Sequence, residues 1–211
     1  MKKLNSGFLA GMMLAALCAA PAGPSFAAGE DTAIVIRVID ANTIVLKGGQ
    51  EVRLIGVRSP SALDADRNNA LAKQAGLKTE SLADVGRQAK EFVEYLVQGQ
   101  TVRLELDPGL ASINHRDREG RILAYVWFTT PIFAQAPDWL VMDPSPKTPQ
   151  DAFLNAAVMR AGYAALETDW PFAFGGKFLA LQEEAKKSNR GMWQQRISIP
   201  PAPPAPKPGK H

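Results

Sequence analysis

Residues 34–57 read IVIRVIDANTIVLKGGQEVRLIGV. Ile34–Ile39, Thr43–Leu46 and Glu51–Val57 are rich in β-branched and apolar residues. They are separated by Asp40-Ala41-Asn42 and by Lys47-Gly48-Gly49-Gln50, clusters in which turn formers interrupt the apolar run; the second is a strong hairpin signal. The stretch predicts a three-stranded meander, and the rest of the chain has to be arranged around it.

Downstream, Ser81-Leu82-Ala83-Asp84 resembles a capping box, and Val85, Ala89, Phe92, Val93 and Leu96 follow at helical spacing as far as Gly99. Thr101–Leu106 then alternates polar and apolar residues, and Ile122–Phe128 is an apolar run, so two more strands are expected. The order β-β-β-α-β-β suggests a small Greek-key barrel of the OB type, about five strands, in the α+β class but mainly β. Two further helices complete a set of about three packed on the barrel. One starts at Thr148-Pro149-Gln150-Asp151, runs over Ala152–Ala161 and stops at Gly162; the other spans Gly176–Ser188, with Lys186 and Lys187 near its end. Residues 62–80 and 129–147, the latter holding Pro131, Pro137, Pro144 and Pro146, read as insertions.

Lys2 and Lys3, the apolar run Phe8–Ala20 and Ser25-Phe26-Ala27 form the pattern of a secretory signal cleaved after Ala27. The run is shorter than the roughly 20 residues of a spanning helix, so no transmembrane segment is expected after cleavage and the protein is expected to be secreted or periplasmic. Cys18, the only cysteine, would leave with the signal, and the mature fold must hold without disulfides. Loss of Lys2 and Lys3 leaves 22 basic and 21 acidic residues. A net charge of +1 argues against strong non-specific nucleic-acid binding, which needs a dense basic surface. One domain over residues 28–197 is expected, followed by a Pro-rich tail, 198–211, read as disordered or polyproline-like.

Five blocks in order carry a family resemblance. Val38-Ile39-Asp40-Ala41-Asn42-Thr43 is similar to V-x-D-G-D-T, and Arg53-Leu54-Ile55-Gly56-Val57-Arg58-Ser59-Pro60-Ser61 to R-L-x-x-V-D-T-P-E. Asp117-Arg118-Glu119-Gly120-Arg121-Ile122-Leu123-Ala124-Tyr125 is similar to D-x-Y-G-R-x-L-A-Y. Leu154–Gly162 and Ala185–Trp193 match V-N-x-x-L-V-x-x-G and A-x(5)-G-x-W. Together they resemble the staphylococcal nuclease family over nearly all of Ile34–Trp193. The resemblance implies an OB-fold and, in an intact member, calcium-dependent phosphodiester hydrolysis with two phosphate-contacting arginines, carboxylate metal ligands and a glutamate base.

Carried over position by position, the resemblance makes Arg53 and Arg121 the two arginines, Thr43 a carbonyl donor to the metal and Asp40 the more peripheral acid of the first element. Asn42 and Arg58 stand at the two ligand positions, and Ser61 stands at the general-base position. A fixed cation replaces one ligand, and a hydroxyl without its own base cannot usefully accept a proton. Calcium is therefore expected to be lost, with no metal site and no cofactor. Arg53, Arg58 and Arg121 would form a metal-free anion site, since arginine forks suit phosphate oxygens. Strict alternation puts Arg53 and Arg58 on opposite faces, so the turn at Ser59-Pro60 has to redirect Arg58. Asp117 is expected to shape the turn before Gly120.

Glu119 stands in place of the family's tyrosine, which disfavours stacking on a nucleotide. His115 reads as a loop residue, Trp127 and Trp193 as core, and Trp139 and Trp170 as lying near insertions. The functional expectation is an exported module that has lost nuclease activity, binding a phosphate-bearing anion or, weakly, nucleic acid. The alternatives are an active phosphodiesterase whose carboxylates, Asp40 with Asp64 or Asp66, are rearranged, and a cell-envelope protein with a protein partner.

Overall fold

The Lys47–Gln50 turn forms where the sequence places it. Gly48 and Gly49 have φ of +109° and +85°, values that side chains with a Cβ rarely adopt. In the computed structural model, residues 31–130 and 150–195 are described. Strand β1 (Asp31–Asp40) pairs antiparallel with β2 (Thr43–Leu46), and β2 pairs antiparallel with β3 (Glu51–Leu54), with Thr43 opposite Arg53. The other edge of β1 takes β5 (Thr101–Glu105), which pairs with β6 (Ile122–Thr130). A parallel pairing of β3 with β6, Val52 opposite Ile122, closes the ring. The result is a five-stranded closed OB-type barrel in an α+β chain. Val35, Val38, Ile44, Leu46, Val52, Leu54, Val102 and Leu123 fill it, all buried.

Register shifts in the β1–β2 ladder, between Val35 and Arg37 and between Val38 and Asp40, break strict alternation. A bulge of this kind rotates the strand, and here Val35, Val38 and Asp40 are all buried. A short pair, β4 (Val57–Arg58) with β8 (Ala165–Leu166), lies beside the barrel.

Three features depart from the sequence expectations. Residues 62–80 are not merely a connecting stretch: Ala65–Ala75 form helix α1, with Asp64 as N-cap and Gly76 as a left-handed C-cap. Its Leu71 and Ala72 join Leu82, Val85, Ala165, Ala185, Met192 and Trp193 in a second buried cluster. Ser81 does not cap helix α2 (Leu82–Val97), because its backbone is already helical (φ −102°, ψ −3°) and its side chain makes no cap hydrogen bond. Residues 150–153 are strand β7, paired with the end of β6, and helix α3 covers only Leu154–Arg160. The Phe153 ring stacks on Trp127 with centroids 4.3 Å apart, an aromatic pairing that favours the extended form. Helix α4 (Gly175–Lys187) matches expectation closely.

The signal segment, most of the second insertion, Thr148-Pro149, Trp139 and the Pro-rich tail lie outside the described residues. Among the described residues no helix is long and apolar enough to cross a membrane.

Candidate functional site

After β3 the chain turns at Gly56, whose φ is +75° and where a Cβ would meet the Phe172 and Phe178 rings at 2.7 Å. This kink, not Ser59-Pro60, redirects Arg58. Arg53 and Arg58 consequently reach one carboxylate, that of Glu167, just beyond β8. Arg53 Nη2 donates to Glu167 Oε2 at 2.6 Å. Arg58 donates through Nε to Oε1 at 2.9 Å, and its Nη2 donates to the same oxygen. Asp169 accepts a further bond from Arg58 Nη2 at 3.0 Å. The Glu167 side chain is 2 % exposed; a buried carboxylate is tolerated only when paired. Burial works against the Arg58 charge, but the bonds and charges of Glu167 and Asp169 outweigh it and raise the affinity of Arg58 for its proton.

Asp117 organises the opposite wall. Its Oδ1 accepts from the backbone N–H groups of Glu119 and Arg121 at 3.1 and 2.9 Å, which holds the turn as expected. Its Oδ2 also accepts from Arg121 Nε at 2.6 Å and lies 3.8 Å from Arg53 Nη1. Exposed Glu119 accepts from Arg121 Nη2 at 3.1 Å.

Around Asp40 and Asn42 the cation is Arg67, from the first turn of α1. Its Nη1 donates to Asp40 Oδ2 at 2.6 Å, Nη2 to Asn42 Oδ1 at 2.9 Å and to Ser59 Oγ at 3.0 Å, and Nε to the Ser59 carbonyl at 3.0 Å. Asn42 is itself a cross-link, its Nδ2 donating to the Val57 carbonyl at 2.9 Å and its Oδ1 accepting from Thr43 Oγ1 at 3.0 Å. An aspartate here would set a carboxylate oxygen against that carbonyl, so the amide suits the fold. Ser61 is buried, and its Oγ accepts from the Leu63 and Asp64 N–H groups at 3.2 Å. Asp64 caps α1 through Arg67 N at 2.8 Å; Asp66 lies exposed in the first turn.

These walls enclose a pocket of about 330 Å³ lined by Asn42, Arg53, Arg58, Asp64, Arg67, Ala70, Glu119 and Arg121. Four guanidiniums face three buried carboxylates, those of Asp40, Asp117 and Glu167, and three exposed ones at the rim, Asp64, Glu119 and Asp169. The arginines are therefore well supplied with acids, contrary to the expectation of a bare positive cluster. The donor set does not fit calcium, which takes six to eight oxygens. Asp40 and Asn42 give one carboxylate and one amide, both already bound to Arg67, and Ser61 faces the backbone. Among the described residues, no group of three or more His, Cys, Asp or Glu side chains is arranged to hold a metal ion.

Sequence reasoning missed Arg67 and Glu167, the two residues that organise the site. Arg67 carried a weak signal, lying three residues after the N-capping Asp64; Glu167 carried none, being an acid after an apolar run and outside the motif blocks. His115 does not line the pocket: its Nδ1 is buried without a hydrogen-bond partner among the described residues. Trp193 is buried, while Trp170 packs under the Arg53 guanidinium, 5.3 Å from the ring centroid.

The family profile described as "Staphylococcal nuclease homologue" matches residues 51–195. A protein named "Thermonuclease" from Staphylococcus hyicus is 27 % identical over 205 residues, covering 92 % of this chain and 99 % of its own. A "Thermonuclease" from Staphylococcus intermedius is 34 % identical over 103 residues, 47 % of this chain and 51 % of its own. An "Uncharacterized endonuclease" from Escherichia coli is 26 % identical over 174 residues, 79 % of this chain and 80 % of its own. With the closed barrel and the ordered sequence blocks, the profile match over most of the chain means that this protein belongs to the staphylococcal nuclease homologue family.

Proposed function

We propose that this chain is an exported member of the family that has given up calcium-dependent hydrolysis and uses its barrel pocket to bind a phosphate-bearing anion, as a binding or scaffolding module. The observation that carries this reading is the Arg67 guanidinium, bonded at once to Asp40, Asn42 and Ser59. A fixed unit charge about 4 Å from a dication opposes it by roughly 8 kcal/mol at an effective dielectric near 20, more than one weak ligand offsets. The buried, backbone-bound Ser61 at the base position supports the same conclusion. Arg53 and Arg121 are retained and line the pocket, which supports anion binding. Export rests on the pattern of Lys2, Lys3, the apolar run Phe8–Ala20 and Ser25-Phe26-Ala27.

A second reading, an active phosphodiesterase, is favoured by the names of the relatives and by those same two arginines. Incubating residues 28–211 with single-stranded DNA and RNA plus calcium separates the two. The binding reading expects no EDTA-sensitive cleavage and a saturable phosphate titration. Cleavage that EDTA abolishes and Arg53→Ala eliminates would establish the enzyme instead.

A further inference from the structure

Glu167 accepts hydrogen bonds from two pocket arginines at once. Its Oε2 takes Arg53 Nη2 and its Oε1 takes Arg58 Nε and Nη2. Both arginines line the pocket, whereas Glu167 does not, so the carboxylate stands behind them. Its own place is fixed by the backbone: Glu167 N donates to the Gly56 carbonyl at 3.1 Å, and Leu166 N donates to Gln182 Oε1 of α4 at 2.8 Å. Arg53 is further braced by Trp170. Because Arg53 uses only Nη2 on Glu167, and its Nη1 is 3.8 Å from Asp117, beyond hydrogen-bond range, Nη1 keeps protons to donate. Arg58 Nη1 is likewise uncommitted in the bonds to Glu167 and Asp169. Glu167 is the anion the two adjacent guanidiniums share, whereas Asp169 bonds Arg58 and Asp117 lies near Arg53, so without Glu167 nothing common to both would offset their mutual repulsion.

We propose that Glu167 is a positioning residue, whose buried carboxylate fixes Arg53 and Arg58 side by side as a two-guanidinium face that receives a tetrahedral oxyanion. The role builds on the anion-binding reading above, yet the orientation of the two arginines is measurable with no ligand present. It also explains why an acid is buried at this point: it aligns two cations that the Gly56 kink brings to one side.

The test compares the wild type with Glu167→Gln, of the same shape, and Glu167→Asp, which keeps the charge. Two signals are followed: the arginine Nε–H resonances by NMR, and inorganic phosphate binding by calorimetry. In the wild type, the Arg58 Nε–H is expected to be resolved and slow to exchange. In Glu167→Gln it should merge with the exposed arginines while Arg121, held by Asp117, stays resolved, and phosphate affinity should fall about 10-fold or more, the scale of one lost charge-assisted bond. Glu167→Asp should recover part of both. If the wild type shows the protected Nε–H but binds no phosphate, the anion-binding reading fails and the positioning role stands. If Glu167→Gln leaves the Arg58 signal unchanged, or binds phosphate equally or more tightly, the positioning role is overturned. Should Glu167→Gln fail to fold, the wild-type Arg58 signal decides alone, and an exchange rate matching the exposed arginines refutes the proposal.

Discussion

Arg67 Nη1 lies 2.6 Å from Asp40 Oδ2, joining the first turn of α1 to the end of β1. Both side chains are largely buried, at 24 % and 12 % exposed. Removing one partner of such a pair strands the other. Arg67→Ala is therefore expected to destabilise the protein by about 2–4 kcal/mol, since Asn42 and Ser59 lose a donor as well. Arg67→Lys should recover little of this, because an ammonium cannot span the same four acceptors. Urea melts of the three proteins measure the differences, and a change under about 0.5 kcal/mol for Arg67→Ala would put it among inconsequential surface substitutions.

The proposed loss of calcium binding makes this pair testable by metal titration as well. A ligand that binds only the folded state raises the melting temperature by mass action. Calcium titrated to millimolar levels should leave the wild-type melting temperature unmoved and release no specific heat. A saturable rise at micromolar calcium would mean that the guanidinium yields its place to the ion.

Much of the barrel was legible because alternation and turn chemistry are local. The Gly48-Gly49 hairpin, the Thr101–Glu105 strand and α4 all follow from short-range pattern. Residues 150–153 were misread because Pro149 and Asp151 mimic a helix start, while the pairing with β6 and the stack of Phe153 on Trp127 are long-range. The site was half legible for the same reason. Family blocks locate Arg53, Arg58 and Arg121, but their counter-charge Glu167 is more than 100 residues away from Arg53 and Arg58 in the chain, and no local rule joins them.

Helix α1, within the segment that reads as an insertion, contributes to the second buried cluster. Leu71 is fully buried in the second cluster beside Met192 and Trp193. Leu71→Ala should destabilise by about 2–5 kcal/mol, the range for emptying a buried leucine site. Replacing residues 62–80 with a short linker should abolish the cooperative melt, since it removes Leu71, Ala72 and Arg67 together. A deletion variant with an unchanged sharp transition would show that this segment is an accessory to the fold.

Glu119 is 63 % exposed and holds Arg121 Nη2 at the pocket rim. A phosphate entering the proposed anion site would compete with it for that donor. Glu119→Gln removes the competing charge without changing the shape, so phosphate affinity should rise about 3-fold, as expected for an exposed ion pair of modest strength. The gain should shrink as salt is added, because rim charges are screened. Calorimetry at two ionic strengths checks both points, and a fall in affinity would show that Glu119 orients Arg121 more than it competes.

The hydrogen-bonded pair of Asp107 and Tyr125 is expected to make stability depend on pH at both ends of the range. Burial opposes ionisation of Asp107, yet the Tyr125 hydroxyl, the Ala173 and Gly109 N–H groups and nearby His115 outweigh it and hold the carboxyl below its ordinary value of 3.8. A group with a depressed folded value gives stability that is complete above the unfolded value and lost as pH falls through the folded one. For Tyr125, burial first and then the bond to Asp107 push the phenol well above its ordinary value of 10.0, so its contribution is complete below pH 10.0 and declines as pH rises beyond. The stability gap between wild type and Asp107→Asn should therefore be widest near neutrality and narrow below about pH 4. The gap to Tyr125→Phe should narrow above about pH 10. Because Asp107 anchors Ala173, on the segment that follows Glu167 and Trp170, acid should also weaken phosphate binding in step with its protonation. Urea melts from pH 2.5 to 11 supply the test, and a gap to Asp107→Asn that stays constant down to pH 2.5 would show that Asp107 is not the titrating anchor.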